Sequence, residues 1–174
     1  MNRTRKRVVL RVHTSPGIHF NELVRVLDLA PGQVQYHLKR LCSSGAVADE
    51  QRYGRTHYYP PECNAWRRGA LSLLRRETAG DIVAHLCDRG PTRPQAIADD
   101  LDIARSTLEW HADHLIEQDI VVKERDERNH IALTLVRPTE TVRLLREVSP
   151  SSPALMVDRF TRLTDRLLED ATDE

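Results

Sequence analysis

The sequence predicts a mainly α fold with small β-hairpin wings, an α+β architecture built twice in tandem. Three observations predict it. Apolar residues recur at helical spacing along most of the chain and are interrupted at Pro and Gly. Two pairs of short extended runs each follow a helix and enclose a polar turn. A shift of 74 residues also lays 23–47 over 97–121 without a gap. Leu27, Asp28, Ala30, His37, Leu41 and Val47 fall on Leu101, Asp102, Ala104, His111, Leu115 and Val121. Leu23 meets Ile97, Leu29 meets Ile103, Val34 meets Leu108 and Tyr36 meets Trp110, so both segments carry one apolar periodicity.

In the first copy, Arg3–His13 carries Val8, Val9 and Val12 at helical spacing, and Ser15-Pro16-Gly17 ends it. Phe20–Leu27 is a short helix with Leu23, Val24 and Leu27 on its inner side, and Asp28-Leu29-Ala30 is the turn. Pro31 opens a third helix at its first position, where a missing N–H removes no hydrogen bond. That helix runs to Ser43 and stops at Gly45. Ala46–Asp49 and Thr56–Tyr59 are extended runs around Arg52-Tyr53-Gly54-Arg55, a hairpin closed off by Pro60-Pro61. Three helices and a two-stranded wing make a winged helix-turn-helix.

The second copy keeps the order. Thr78–Asp88, Pro94–Leu101 and Arg105–Glu117 are its helices, with Ile120–Arg125 and His130–Val136 as the wing. Asn64–Arg76 reads as a connecting helix and Thr139–Val148 as one following the second wing. Ser149-Pro150-Ser151-Ser152-Pro153 is a linker, and Ala154–Asp170 places Met156, Phe160, Leu163 and Leu167 at 4-3-4 spacing. The expected organisation is therefore 1–61, an N-terminal winged domain; 62–77, a linker helix; 78–148, a second winged domain; and 149–174, a linker with an amphipathic helix. The terminal stripe either packs back on its own domain or completes a homodimer; two winged domains in one chain leave a monomer open as well.

Composition narrows the function. Of 174 residues, 40% are hydrophobic and 30% charged, which supports packed cores rather than a disordered chain. No run approaches the ~18 apolar residues of a membrane span, and no apolar block follows the basic start as a signal peptide requires. Three cysteines without a C-x-x-C pair exclude a disulfide framework and point to the reducing cytoplasm. The zero net charge hides a split. Residues 1–62 hold ten Lys/Arg against five Asp/Glu, and residues 63–174 hold sixteen against twenty-one. A basic half suits a polyanion.

On the third helix, Val34, Leu38 and Leu41 form one stripe with His37 beside it. Gln35, Tyr36, Lys39 and Arg40 fall on or near the other face, with Gln33 at its margin. Lys and Arg contact phosphates or guanine O6 and N7, and Gln pairs with adenine N6 and N7. Arg52 and Arg55 at the hairpin tip reach for flanking backbone or the minor groove, and Arg3, Arg5, Lys6 and Arg7 add a basic arm for phosphates. Tyr36 serves equally as a groove contact or as the edge of a core. His37 and His111 suit packing.

Pro16-Gly17-Ile18-His19-Phe20-Asn21-Glu22-Leu23, Gln33 to Leu41 and Gly45-Ala46-Val47 together resemble archaeal winged helix-turn-helix transcriptional regulators similar to the ArsR and MarR groups. The resemblance covers residues 7–60 well and 78–136 more loosely. It implies that the third helix reads double-stranded DNA, through Gln33, Gln35, Tyr36, Lys39 and Arg40, and that the wing contacts its backbone through Arg52 and Arg55. The second copy departs from the pattern. Its third helix presents Glu109, Asp113 and Glu117 beside Trp110 and His114, and its wing tip carries Asp126 and Glu127. Carboxylates facing phosphates repel, so this copy is expected to bind DNA weakly or not at all.

No cofactor or metal is expected. A zinc site gathers three or four ligands within ~2.0–2.3 Å of the ion. Cys42, Cys63 and Cys87 are far apart, and His111 with His114 or His85 with Cys87 make no such set. A redox switch at Cys42 remains an alternative. No Gly-rich phosphate loop or nucleophile elbow occurs, so an enzyme is not expected. The rival to a transcription regulator is a winged-helix interaction module in a transcription-related complex without DNA readout.

Overall fold

The structure, a computed structural model, describes residues 2–148 and divides into two compact units between Ser72 and Leu73. That division falls inside a helix, α4 (Ala65–Leu74), which lies in the stretch assigned from sequence to the linker.

The first unit starts with α1 (Arg3–Thr14). The Asn2 side chain accepts a hydrogen bond from the Thr4 amide at 2.8 Å, satisfying one of the amides that a helix start leaves open. Val8 and Val12 point inward and are fully buried. Next come β1 (Ile18–His19), α2 (Phe20–Leu27) and α3 (Pro31–Ser43). Asp28 ends α2 in a left-handed conformation, φ 50°, which Asp tolerates better than most residues. Pro31 does open α3, and the Ala46 and Val47 amides bond back to the Leu41 carbonyl past its end. The core gathers Val8, Val12, Ile18, Leu23, Val34 and Leu41 from three helices and one strand.

The wing is β2 (Ala48–Arg52) and β3 (Arg55–Tyr59), antiparallel, with Arg52 opposite Arg55 at the tip. Tyr53 and Gly54 both have positive φ, 51° and 77°, the conformation of a two-residue hairpin turn whose twist matches its strands. The sheet has three strands in the order β1-β3-β2, not the two read from sequence. Ile18 pairs with Tyr58 and His19 with His57. Two residues are too few to show a period of two, so nothing in the sequence marked β1.

The second unit contains α5 (Glu77–Arg89), α6 (Pro94–Asp100), α7 (Arg105–Glu117), β4 (Val121–Arg125), β5 (Ile131–Leu135) and α8 (Pro138–Val148). Ile82, Leu86, Ile97, Leu108, Leu115 and Leu133 are buried at its centre. Thr92 exchanges two backbone hydrogen bonds with Leu133, 3.1 and 2.8 Å, and so adds an isolated bridge beside the hairpin. Asp102 and Asp119 adopt positive φ, 52° and 55°, at positions 74 residues beyond Asp28 and Gly45. The linker and amphipathic helix assigned to 149–174 lie outside the described residues.

Candidate nucleic-acid interface

Helix α3 is held from one side. Val34, Leu38 and Leu41 are buried and His37 lies with them, 7% exposed, so His37 is a packing residue. Gln33, Gln35, Tyr36, Lys39 and Arg40 are all exposed. The helix thus keeps its apolar stripe inside and presents amides, a phenol and two cations outward. Tyr36, left open between groove and core, is 53% exposed. Its hydroxyl accepts a hydrogen bond from Arg40 Nη1, and the guanidinium carbon sits 5.4 Å from the ring centre.

Two open hollows flank the helix. One is lined by Gln35 together with Arg55 and Thr56 of the wing and His19 and Asn21 at the start of α2. The other is lined by Tyr36, Lys39, Arg40 and Ser43 of α3 together with Arg5 of α1. Of the residues singled out from sequence, Gln35, Tyr36, Lys39, Arg40, Arg5 and Arg55 therefore line hollows on the two flanks of one helix. Gln33 and Lys6 are exposed but line neither hollow. Asn21 and Thr56 were missed because only the pairing of β1 with β3 brings the start of α2 to the wing.

Two cations are committed inside the protein. Arg52 folds along its own strand onto Glu50, with guanidinium–carboxylate distances of 2.6 and 2.7 Å. The two residues are separated by two positions, so they share a face of the strand. Arg7 donates to the Leu27 carbonyl at 2.7 Å, which ties α1 to the end of α2. The basic start is consequently a packed helix, as its apolar spacing predicts, and Val8 and Val12 fix its orientation.

Cys42 lies behind the interface. Burial, reinforced by the Asp49 carboxylate and a hydrogen bond to it, pushes its thiol from 9.0 up to about 11. Tyr58 next to them is pushed up to about 12, chiefly by burial. A thiol held in its protonated form is a weaker nucleophile at ordinary pH, which lends the redox alternative no support. Cys63 and Cys87 are buried. Among the described residues, no three His, Cys, Asp or Glu side chains gather as a metal site. Nor is any helix among them long and apolar enough to cross a membrane.

On α7 of the second unit the corresponding face is engaged with itself. Glu109 takes hydrogen bonds from Arg105 at 2.7 Å and Lys123 at 3.4 Å, and its carboxyl is lowered, mainly by Arg105. Lys123 also lies 3.7 Å from Asp113. Trp110 is 46% exposed, with Arg76 stacked 5.5 Å above it and His111 and His114 against its edges. Asp126 accepts the Arg128 and His130 amides at 3.0 and 2.8 Å and so shapes the wing tip. Those bonds, the His130 amide foremost, hold its carboxyl below the usual range.

Residues 2–71 match a family model described as an N-terminal HTH (helix-turn-helix) domain. No curated protein matches the chain. Among solved structures, the disulfide-formed AbfR is 16% identical with a TM-score of 0.40, covering 82% of this chain and 94% of its own. A MarR-family protein from Bacillus stearothermophilus is 14% identical with a TM-score of 0.35, covering 81% and 94%. The DIP2311 protein from Corynebacterium diphtheriae is 18% identical with a TM-score of 0.32, covering 76% of this chain and 26% of its own. The first unit thus matches an N-terminal helix-turn-helix domain over residues 2–71, and its hairpin makes it one of the winged kind.

Proposed function

We propose that the chain is a sequence-specific transcription regulator that binds double-stranded DNA through residues 1–61. Helix α3 enters the major groove and the wing lies on the flanking backbone. The observation that carries the reading is the exposed row of Gln35, Tyr36, Lys39 and Arg40 on a helix whose opposite stripe is locked in the core. Gln33 extends that row, and Arg5, Lys6 and Arg55 supply cations beside it. Arg52 keeps a supporting place on the wing, with its charge shared with Glu50.

The second unit takes a different part in this reading. With Glu109, Asp113 and Asp126 in ion pairs and Trp110 beneath Arg76, its third helix contributes little to DNA affinity and serves dimerisation, partner binding or sensing. A homodimer through this unit and residues 149–174 fits an operator whose half-sites lie one or two turns apart, ~34 Å per turn. Sedimentation velocity measures that assembly directly.

The deciding experiment is a salt titration of duplex binding by fluorescence anisotropy. A phosphate-contacting protein loses affinity linearly in log salt as released counterions compete. Steep loss supports the regulator. Undetectable binding at low salt supports the interaction module, the rival that the acidic second unit favours.

A further inference from the structure

We propose that Arg5, Lys39 and Arg40 form a single cradle for a DNA backbone phosphate, leaving base readout to Gln33 and Gln35. The inference rests on the DNA-binding reading above and divides its surface into two chemically distinct parts.

Arg5 comes from α1, and Lys39 and Arg40 from the later half of α3, yet all three line one open hollow. The other lining residues include Tyr36 and Ser43, and none carries a carboxylate. Three cations around one concavity without a counter-charge focus positive potential into it. Tyr36 steadies the third cation, because its hydroxyl and ring fix the Arg40 side chain along the helix. Forked guanidinium groups and a point-charge ammonium suit tetrahedral phosphate oxygens.

The opposite flank has other chemistry. There Gln35 lines the hollow with Asn21, two neutral amides that each both donate and accept, as base edges require, and a single cation, Arg55 of the wing, stands at the same hollow with His19. Both glutamines lie on the first turns of α3, the part of a recognition helix that reaches base edges, whereas Lys39 and Arg40 lie where the helix leaves the groove.

The test uses the full-length protein and two duplexes: one enriched by the protein itself from a randomised pool, and a scrambled duplex of the same composition. Arg5→Ala and Lys39→Ala are each expected to weaken binding to both duplexes by a similar factor and to reduce the salt slope by about one. Arg5→Lys is expected to retain the slope. Gln35→Ala is expected to leave the slope intact and lower the ratio of selected to scrambled affinity about tenfold. Thermal melts confirm that each variant is folded. If Lys39→Ala changes that ratio instead of the slope, or a folded Arg5→Ala leaves both unchanged while Lys39→Ala still weakens binding, the cradle is wrong and the DNA-binding reading stands. If the wild-type protein enriches no duplex, the DNA-binding reading falls and takes the cradle with it.

Discussion

The Tyr36 hydroxyl accepts a hydrogen bond from Arg40 one turn further along α3, so the phenol and guanidinium act as one unit on the exposed face. Lys39 stands next to this pair, exposed and lining the same hollow. Replacing Lys39 and Arg40 together with Ala should weaken duplex binding at least tenfold, ~1.4 kcal/mol or more. Tyr36→Phe keeps the ring and removes the acceptor; it should cost less, and nothing further once Arg40 is Ala. Anisotropy titrations of the wild type, Tyr36→Phe, Arg40→Ala and the variant carrying both changes complete that cycle.

Cys42 should be chemically quiet. With its thiol raised from 9.0 to about 11, the thiolate fraction at about pH 8 falls roughly a hundredfold, since each pKa unit is a factor of ten below both values. Alkylation with iodoacetamide, followed by mass spectrometry, should be correspondingly slow at this site, and Asp49→Asn should speed it. Oxidants should leave DNA affinity unaltered.

Acid should loosen the second unit. Asp126 and Glu109 have lowered carboxyls, held by the His130 amide and by Arg105 respectively. Such groups stabilise the fold above their unfolded values and lose that contribution as pH falls through the folded ones. His111 is lowered too, by burial first and then by Arg76 and His114. Its folded site prefers the neutral ring, so stability drops as pH falls through the unfolded value near ~6.5. Melting temperatures should therefore fall from about pH 7 to about pH 5 through His111, with the carboxylate contribution lost only below about pH 4, and His111→Gln should flatten the upper part of the fall. A pH-independent Tm would contradict the argument.

Gly54→Ala should destabilise the wing through backbone conformation alone. No atom lies within 4 Å of the added Cβ, so the cost comes from a φ of +77°, about 1 kcal/mol. Circular dichroism melts should register it, with a modest loss of DNA affinity as Arg55 loses its fixed position.

Leu41 is 1% exposed beneath α3. Leu41→Ala should cost ~2–5 kcal/mol, the usual range for a buried leucine whose cavity fills only in part. Chemical denaturation should show a lower midpoint, with DNA binding surviving only where the unit is still folded.

The third helix was legible in the sequence because its signals are local: Pro31 at the start, Gly45 past the end, and Val34, Leu38 and Leu41 at turn spacing. The exposed row follows from the same arithmetic. The Arg52–Glu50 pair was missed because the strand was read as ending at Asp49 with Arg52 in the turn; the two share a face only once β2 runs on to Arg52. Arg7 reaching the Leu27 carbonyl and Arg5 joining Lys39 were not readable. Each links positions far apart in the chain, and only the packing of α1 against its neighbours creates them.

The little strand β1 makes the wing something other than a loose flap. Gly17 gives its carbonyl to His57 at 2.7 Å and its amide to the Tyr58 carbonyl at 2.8 Å, so β3 is stitched to the corner that launches α2. The hairpin is therefore braced against the start of α2, and a load on its tip is carried into the scaffold under α3 rather than taken up by a hinge at its base.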